Sequence, residues 1–188
     1  MPTSRAETLA ALRQHIAKVA PHRGTATRAP TGLSALDAAI GGWPRPGVAL
    51  IHGAVGSGRM GLILPALVAH TQAARTIAVV DAVGWLHPPG LPEVNWQHLM
   101  IVRPGARRAG WAAVQLAGSG AVPLVVVLDP PRLRRNGLRL TRAAEAGDST
   151  VIVFTESPDT DVPAAIRLHV LGQGQIRVER GGGGTVVI

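Results

Sequence analysis

Hydrophobic positions recur along this chain in two periods, and the change from one to the other marks out its elements. Over residues 5–20, Leu9, Leu12, Ile16 and Val19 return at spacings of three and four, with Arg13, Gln14 and Lys18 on other faces. That stripe predicts an amphipathic helix, which Pro21 ends. The polar, basic stretch 22–30 reads as a loop or tether. A second helix is expected at Ser34–Ile40, with Ser34 as its cap and Gly41-Gly42 as its stop. A proline-glycine turn over 43–47 then leads into a strand at 48–52.

From there strands and helices alternate. A glycine-rich turn at 53–58 opens a helix that runs to about residue 74, followed by a strand at 76–80, another around Leu99–Val102 and a helix at 107–117. The apolar run 122–128 ends in Asp129 and is unbroken, as in a central strand covered on both faces. A helix at 133–146 and a buried strand at Thr150–Thr155 come next. The last segment changes character: short strands at 166–171, 175–179 and 185–188, joined by glycines, predict an antiparallel extension of the sheet. The pattern is that of an α/β protein with a three-layer core and a mostly parallel sheet over residues 25–188, preceded by a helix and tether over 1–24.

Composition narrows the function classes. With 188 residues, 46% of them hydrophobic, the chain has enough apolar matter for one folded domain. No apolar run reaches the roughly 18 residues of a membrane span, and no signal peptide is evident, so a membrane partner is not expected. The absence of cysteine excludes disulfides, thiolate metal sites and cysteine nucleophiles, and fits a reducing cytoplasm. The seven histidines show no repeated metal spacing and no Ser-His-Asp arrangement can be argued, so neither a metal site nor a hydrolytic triad is assigned. Nineteen basic residues against eleven acidic ones give a net charge of +8, a surplus that favours nucleic acid or an acidic protein as a partner.

One motif carries chemistry. After the strand at 48–52 comes Gly53-Ala-Val-Gly56-Ser-Gly58-Arg59-Met60. A phosphate-binding loop reads G-x-x-x-x-G-K-[ST] in this strand–loop–helix setting, with glycines that let backbone N–H groups converge on phosphate, a lysine for the outer phosphates and a hydroxyl for Mg²⁺. Here Gly53, Gly56 and Gly58 keep the spacing, but Arg59 replaces the lysine and Met60 the hydroxyl. Arginine is not a substitute for a compact ammonium, and a thioether does not ligate Mg²⁺. A tight strand-to-helix turn, a weak residual anion site and an active site are the three readings, and the residues favour the first.

Several segments resemble the RecA family. Thr31-Gly-Leu-Ser-Ala-Leu-Asp37, then Gly41-Gly42, a proline-glycine turn and the altered loop look like the start of the RecA core. The segment 76–83 is similar to the strand that ends Asp-Ala-Glu in RecA, whose glutamate activates the attacking water; Val83 stands there in this chain. The run 124–129 resembles the Walker B strand, with Asp129 at its acidic position. Residues 151–154 resemble the strand that leads to RecA's nucleotide-sensing glutamine, where this chain has Glu156. The two DNA-binding loops of RecA have only short counterparts.

Within the family, the turn at Gly41–Pro44 and the degenerate loop look most like the ImuA group. That resemblance implies a non-catalytic accessory role in DNA-damage-induced mutagenic translesion synthesis, in the cytoplasm beside the nucleoid and without a cofactor. The implied partners are ImuB (a Y-family polymerase homologue) and an error-prone replicative-type polymerase complex, with RecA, a second copy of this chain, or DNA phosphates as further candidates. The alternatives are an active RecA-type DNA-dependent ATPase or recombinase, a SulA-like inhibitor of FtsZ polymerisation, and a DNA-binding module alone.

Three other features bear on partners. By the same resemblance, Leu9, Leu12 and Ile16 either dock on another subunit or fold back on their own core. Arg132, Arg134 and Arg135, with Arg139 and Arg142, form one basic cluster, and Arg103, Arg107 and Arg108 form another. Each is either an ordinary solvated face or a contact for DNA phosphates. Trp43, Trp85, Trp96 and Trp111 are expected in core or turn packing, with an interface role as the alternative.

Overall fold

The computed structural model describes residues 27–91, 93–159 and 161–188. The helix expected over 5–20, with Leu9, Leu12 and Ile16, lies outside the described residues.

The sheet is built from runs that are apolar on both sides. Strands β3 (Gly47–His52), β4 (Ile77–Asp81), β6 (Leu124–Leu128) and β7 (Thr150–Thr155) are buried at every position. Alternate side chains serve opposite layers. Ala49, Ile51, Ile77, Val79 and Val126 join the cluster that contains Leu36, Ile40, Leu62 and Leu67. Their neighbours Val48, Leu50, Ala78, Val80 and Val125 join the cluster of Ala109, Ala113, Leu140 and Ala144. One face is covered by helices α1 (Ser34–Ile40) and α2 (Leu64–Gln72), the other by α3 (Ala109–Gly118) and α4 (Arg135–Ala146). Each fully buried Val, Leu or Ile contributes about 1.5–3 kcal/mol, so this double coverage is the main source of stability.

The remaining strands are β1 (Thr27–Ala29), β2 (Trp43–Arg45), β5 (Leu99–Val102), β8 (Ile166–Gly172), β9 (Gln175–Arg180) and β10 (Thr185–Val187). The eight-stranded sheet runs β10-β9-β8-β3-β7-β6-β4-β5. All pairings from β8 to β5 are parallel, and β9 and β10 are antiparallel. The three-layer α/β expectation therefore holds. Among the described residues no helix is long and apolar enough to cross a membrane.

Several boundaries differ from the sequence reading, each for a local reason. The expected tether contains β1, which pairs antiparallel with β2 across the supposed turn. Ser34 does not cap α1: Leu33 occupies the cap position, and Asp37 Oδ1 accepts the Thr31 N–H at 2.8 Å instead. The helix after the glycine loop starts late, because Arg59–Leu62 forms a 3-10 turn and α2 begins only at Leu64, with Pro65 in its first turn. The strand β6 starts at Leu124 because Pro123 has no N–H for a central ladder. The first of the three C-terminal strands is not antiparallel to the core: β8 pairs parallel with β3, and only the hairpin after it reverses. Of the four tryptophans only Trp43 is in the core; Trp85 and Trp96 sit in turns and Trp111 on α3, and the three are 49%, 38% and 54% exposed.

Candidate functional site

The ends of β3, β6 and β7 meet at the glycine loop. Gly53 adopts φ 148°, Gly56 φ 81° and Gly58 φ 98°, values that a side chain would strain. Gly53 is also fixed by space: an added Cβ would come within 2.5 Å of the Val170 carbonyl oxygen of β8. Its N–H donates to the Thr155 carbonyl at 3.1 Å, which ties the loop to the end of β7. The loop thus keeps the backbone form that its glycines predict.

Its side chains do something else. Arg59 folds inward and is 6% exposed. Its Nη1 donates to Asp129 Oδ1 at 2.7 Å and to the Thr155 carbonyl at 2.9 Å, and its Nη2 donates to Asp129 Oδ2 at 3.0 Å. The guanidinium also lies 5.6 Å from the centre of the Phe154 ring. A two-point pair of this kind is geometrically specific, and its burial makes either charge costly to leave alone. Met60 packs against the hydrophobic core. No α-helix begins at Gly58, so the dipole that would greet an anion there is displaced by a 3-10 turn. Ser57 Oγ and Thr155 Oγ1 are buried without a protein partner among the described residues.

A cleft of about 380 Å³ opens beside the pair, lined by Gly58, Arg59, Met60, Trp85, Leu86 and Phe154 among others. Its rim is organised by Asp81 at the end of β4. Oδ1 accepts the N–H groups of Gly84 and Trp85 at 2.8 and 2.9 Å, and Oδ2 accepts the Leu86 N–H at 3.2 Å and Arg103 Nε at 3.1 Å. Burial pushes this carboxyl's pKa up, but the combined donors from Trp85, Leu86, Arg103 and Gly84 win and hold it below its ordinary value. Asp81 is therefore a loop organiser. Val83, at the position of the water-activating glutamate by resemblance, is 48% exposed and brings no proton acceptor.

Among the described residues, the basic side chains separate into those held by an acid and those that are exposed. Arg103 leaves its expected cluster, since its guanidinium is taken by Asp81 and by the Leu86 carbonyl. Arg132, Arg134 and Arg135 are exposed. A groove of about 300 Å³ brings Arg107 of the second cluster together with Arg132, Arg134 and Asn136. Glu156 is exposed and lies with Arg132, Asp129 and Val83 along a neighbouring cleft of about 440 Å³. Sequence reasoning missed Phe154 and Thr155 as neighbours of Arg59, because nothing in a linear pattern reports where a long side chain turns.

The fold that these elements define, a three-layer core with the glycine loop at the sheet's carboxyl edge, is RecA-like. Among solved structures, a RadB recombinase superposes with a TM-score of 0.67 at 18% identity, covering 82% of this chain and 92% of that one. No family model and no curated protein matches the chain. At that identity the likeness carries the fold alone.

Proposed function

We propose that this protein is a non-catalytic, RecA-like accessory protein of DNA-damage-induced mutagenic translesion synthesis. It acts through contacts with an ImuB-type homologue of the Y-family polymerases and with an error-prone replicative-type polymerase. The observation that carries the non-catalytic part of the reading is the Arg59–Asp129 pair, with Arg59 buried; the role and partners rest on the sequence resemblance. In a phosphate-binding loop of the RecA type, the basic residue faces the outer phosphates and the Walker B acid serves the metal. In this chain the two charges neutralise each other, so seating a magnesium-bound triphosphate would first break a pair whose disruption costs about 3–5 kcal/mol. Met60 offers no metal ligand and Val83 no base, which supports the same conclusion.

A RecA-like core without turnover is a surface for partners. The exposed Trp85 and Trp111 are residue types that anchor protein interfaces. The groove of Arg107, Arg132 and Arg134 supports an additional, sequence-independent contact with DNA phosphates. The test is binding of the purified full chain to the ImuB-type protein of the same host, alongside damage-induced mutation frequency in a deletion strain. The expected result is a stable complex without nucleotide, and a loss of induced mutagenesis restored by the wild-type gene. No complex and unchanged mutagenesis, or inhibition of FtsZ polymerisation instead, would overturn the proposal.

A further inference from the structure

We propose that His52, His169 and Glu179 form a binding site for a transition-metal dication, with zinc as the metal their donors suit. The three residues stand far apart in the chain and are brought together by strand pairing. His52 ends β3, directly before the glycine loop, and its parallel register partner in β8 is His169. Glu179 comes from β9, the antiparallel neighbour of β8. One ligand-type atom from each residue lies within 4.8 Å of the other two.

Two imidazole nitrogens and one carboxylate oxygen are a donor set that zinc uses in three-ligand sites, with a fourth position left for water. His52 Nε2 and Glu179 Oε2 are 2.9 Å apart, and His169 Nδ1 and Glu179 Oε1 are 3.9 Å apart. Ligands held at about 2.1 Å in a tetrahedron are about 3.4 Å from one another, so the first pair must open slightly and the second must close. The imidazole rings are stacked, with centroids 4.3 Å apart and planes at 22°. Stacked rings do not aim their lone pairs at one point, so binding requires His169 to turn about its side-chain bonds. The His169 and Glu179 side chains are each 32% exposed, which gives them freedom to move, whereas that of His52, at 3%, is fixed by its surroundings. The site therefore has one rigid ligand, two adjustable ones and a path from solvent. Occupancy would replace the His52–Glu179 hydrogen bond and would clamp the β8–β9 hairpin to the strand that carries the loop.

The proposal does not depend on the adaptor reading, and its test uses the full chain, stripped with chelator and titrated with zinc chloride. Calorimetry gives stoichiometry, and thermal unfolding gives stabilisation. The expected result is one zinc per chain, with a rise in Tm of about 5–10 °C at a hundredfold excess over Kd. His169→Ala and Glu179→Gln, both at partly exposed positions, are expected to weaken binding at least tenfold while remaining folded by circular dichroism. His87→Ala and His98→Ala are expected to bind as wild type, and magnesium alone is expected to give no shift. Cobalt(II) in place of zinc adds an absorption signature that His169→Ala should abolish. Absence of zinc-dependent stabilisation in the wild type, or undiminished binding in His169→Ala and Glu179→Gln, would overturn the proposal.

Discussion

Replacing Asp129 by asparagine tests the buried pair at the loop. Asp129 sits at φ 39°, a left-handed conformation that asparagine tolerates and alanine does not, so the substitution removes charge without adding backbone strain. It leaves Arg59, 6% exposed, with only the Thr155 carbonyl and one amide oxygen as acceptors. Removing one member of a buried pair costs about 3–5 kcal/mol, and the surviving amide acceptor places Asp129→Asn near the lower bound, about 3 kcal/mol. For a domain of this size each kcal/mol moves Tm by about 2–4 °C, so a fall of about 6–12 °C is expected. Arg59→Met, which conserves volume roughly, strands the carboxylate instead and should cost a similar amount. The double variant removes both charges, so it should be no worse than either single one, giving a coupling of at least about 3 kcal/mol. Urea unfolding at pH 7.5, followed by circular dichroism, reads all four proteins. Single losses below about 0.5 kcal/mol, or losses that simply add, would mean that the two side chains do not act as a pair.

Other parts of the molecule are open to tests of their own. Gly137→Ala in α4 should destabilise the protein, against the usual helix preference, because the new Cβ would collide with the Asp161 carbonyl oxygen; a raised Tm would refute this packing. Asp81 has a depressed pKa, so its stabilising contribution is complete above its ordinary value of 3.8 and is lost as pH falls through the lower folded value. Asp81→Asn should therefore lower Tm at pH 7 and flatten the acid limb of the stability curve, and an unchanged acid limb would count against its role in shaping the Trp85 rim. Burial, then Arg75 and Arg45, lower the His70 pKa from 6.5, so stability should decline as pH drops below that value, less so in His70→Leu, by thermal melts from pH 8 to 5. If the arginine groove touches DNA, Arg132→Ala with Arg134→Ala should weaken binding to all sequences alike and reduce the salt slope by about 0.9 for each phosphate no longer neutralised; an unchanged slope would exclude the groove.

Much of this architecture can be read from the chain because the central strands carry their own signal. Residues 150–155 are apolar on both faces and flanked by polar turns, and that reading matches β7 residue for residue. The apolar spacing of α2 extends back towards Gly58 and so suggests too early a start, although Pro65 marks the true first turn. The strands β1 and β2 give no signal, since three residues including Pro44 cannot display a period. The direction of β8 is hidden for a different reason: the glycines at 172 and 174 announce a hairpin, but not what the first of its strands pairs with on the other side. At the loop, the residues that matter are legible and their arrangement is not. Arg59 and Asp129 can both be singled out from the motif, yet only the fold shows the arginine turning away from the loop's mouth to meet the acid. His52, His169 and Glu179 are not legible as a group at all, since their separation in sequence matches no local metal spacing and only strand pairing brings them together.

A phosphate loop closed by its own side chains should perform no phosphoryl chemistry. Steady-state phosphate release by the purified full chain, with Mg-ATP at millimolar concentration and single-stranded DNA present, tests this most directly. The expected rate is at background, unchanged by DNA and equal to that of Asp129→Asn. Turnover that DNA stimulates and that Asp129→Asn abolishes would contradict it.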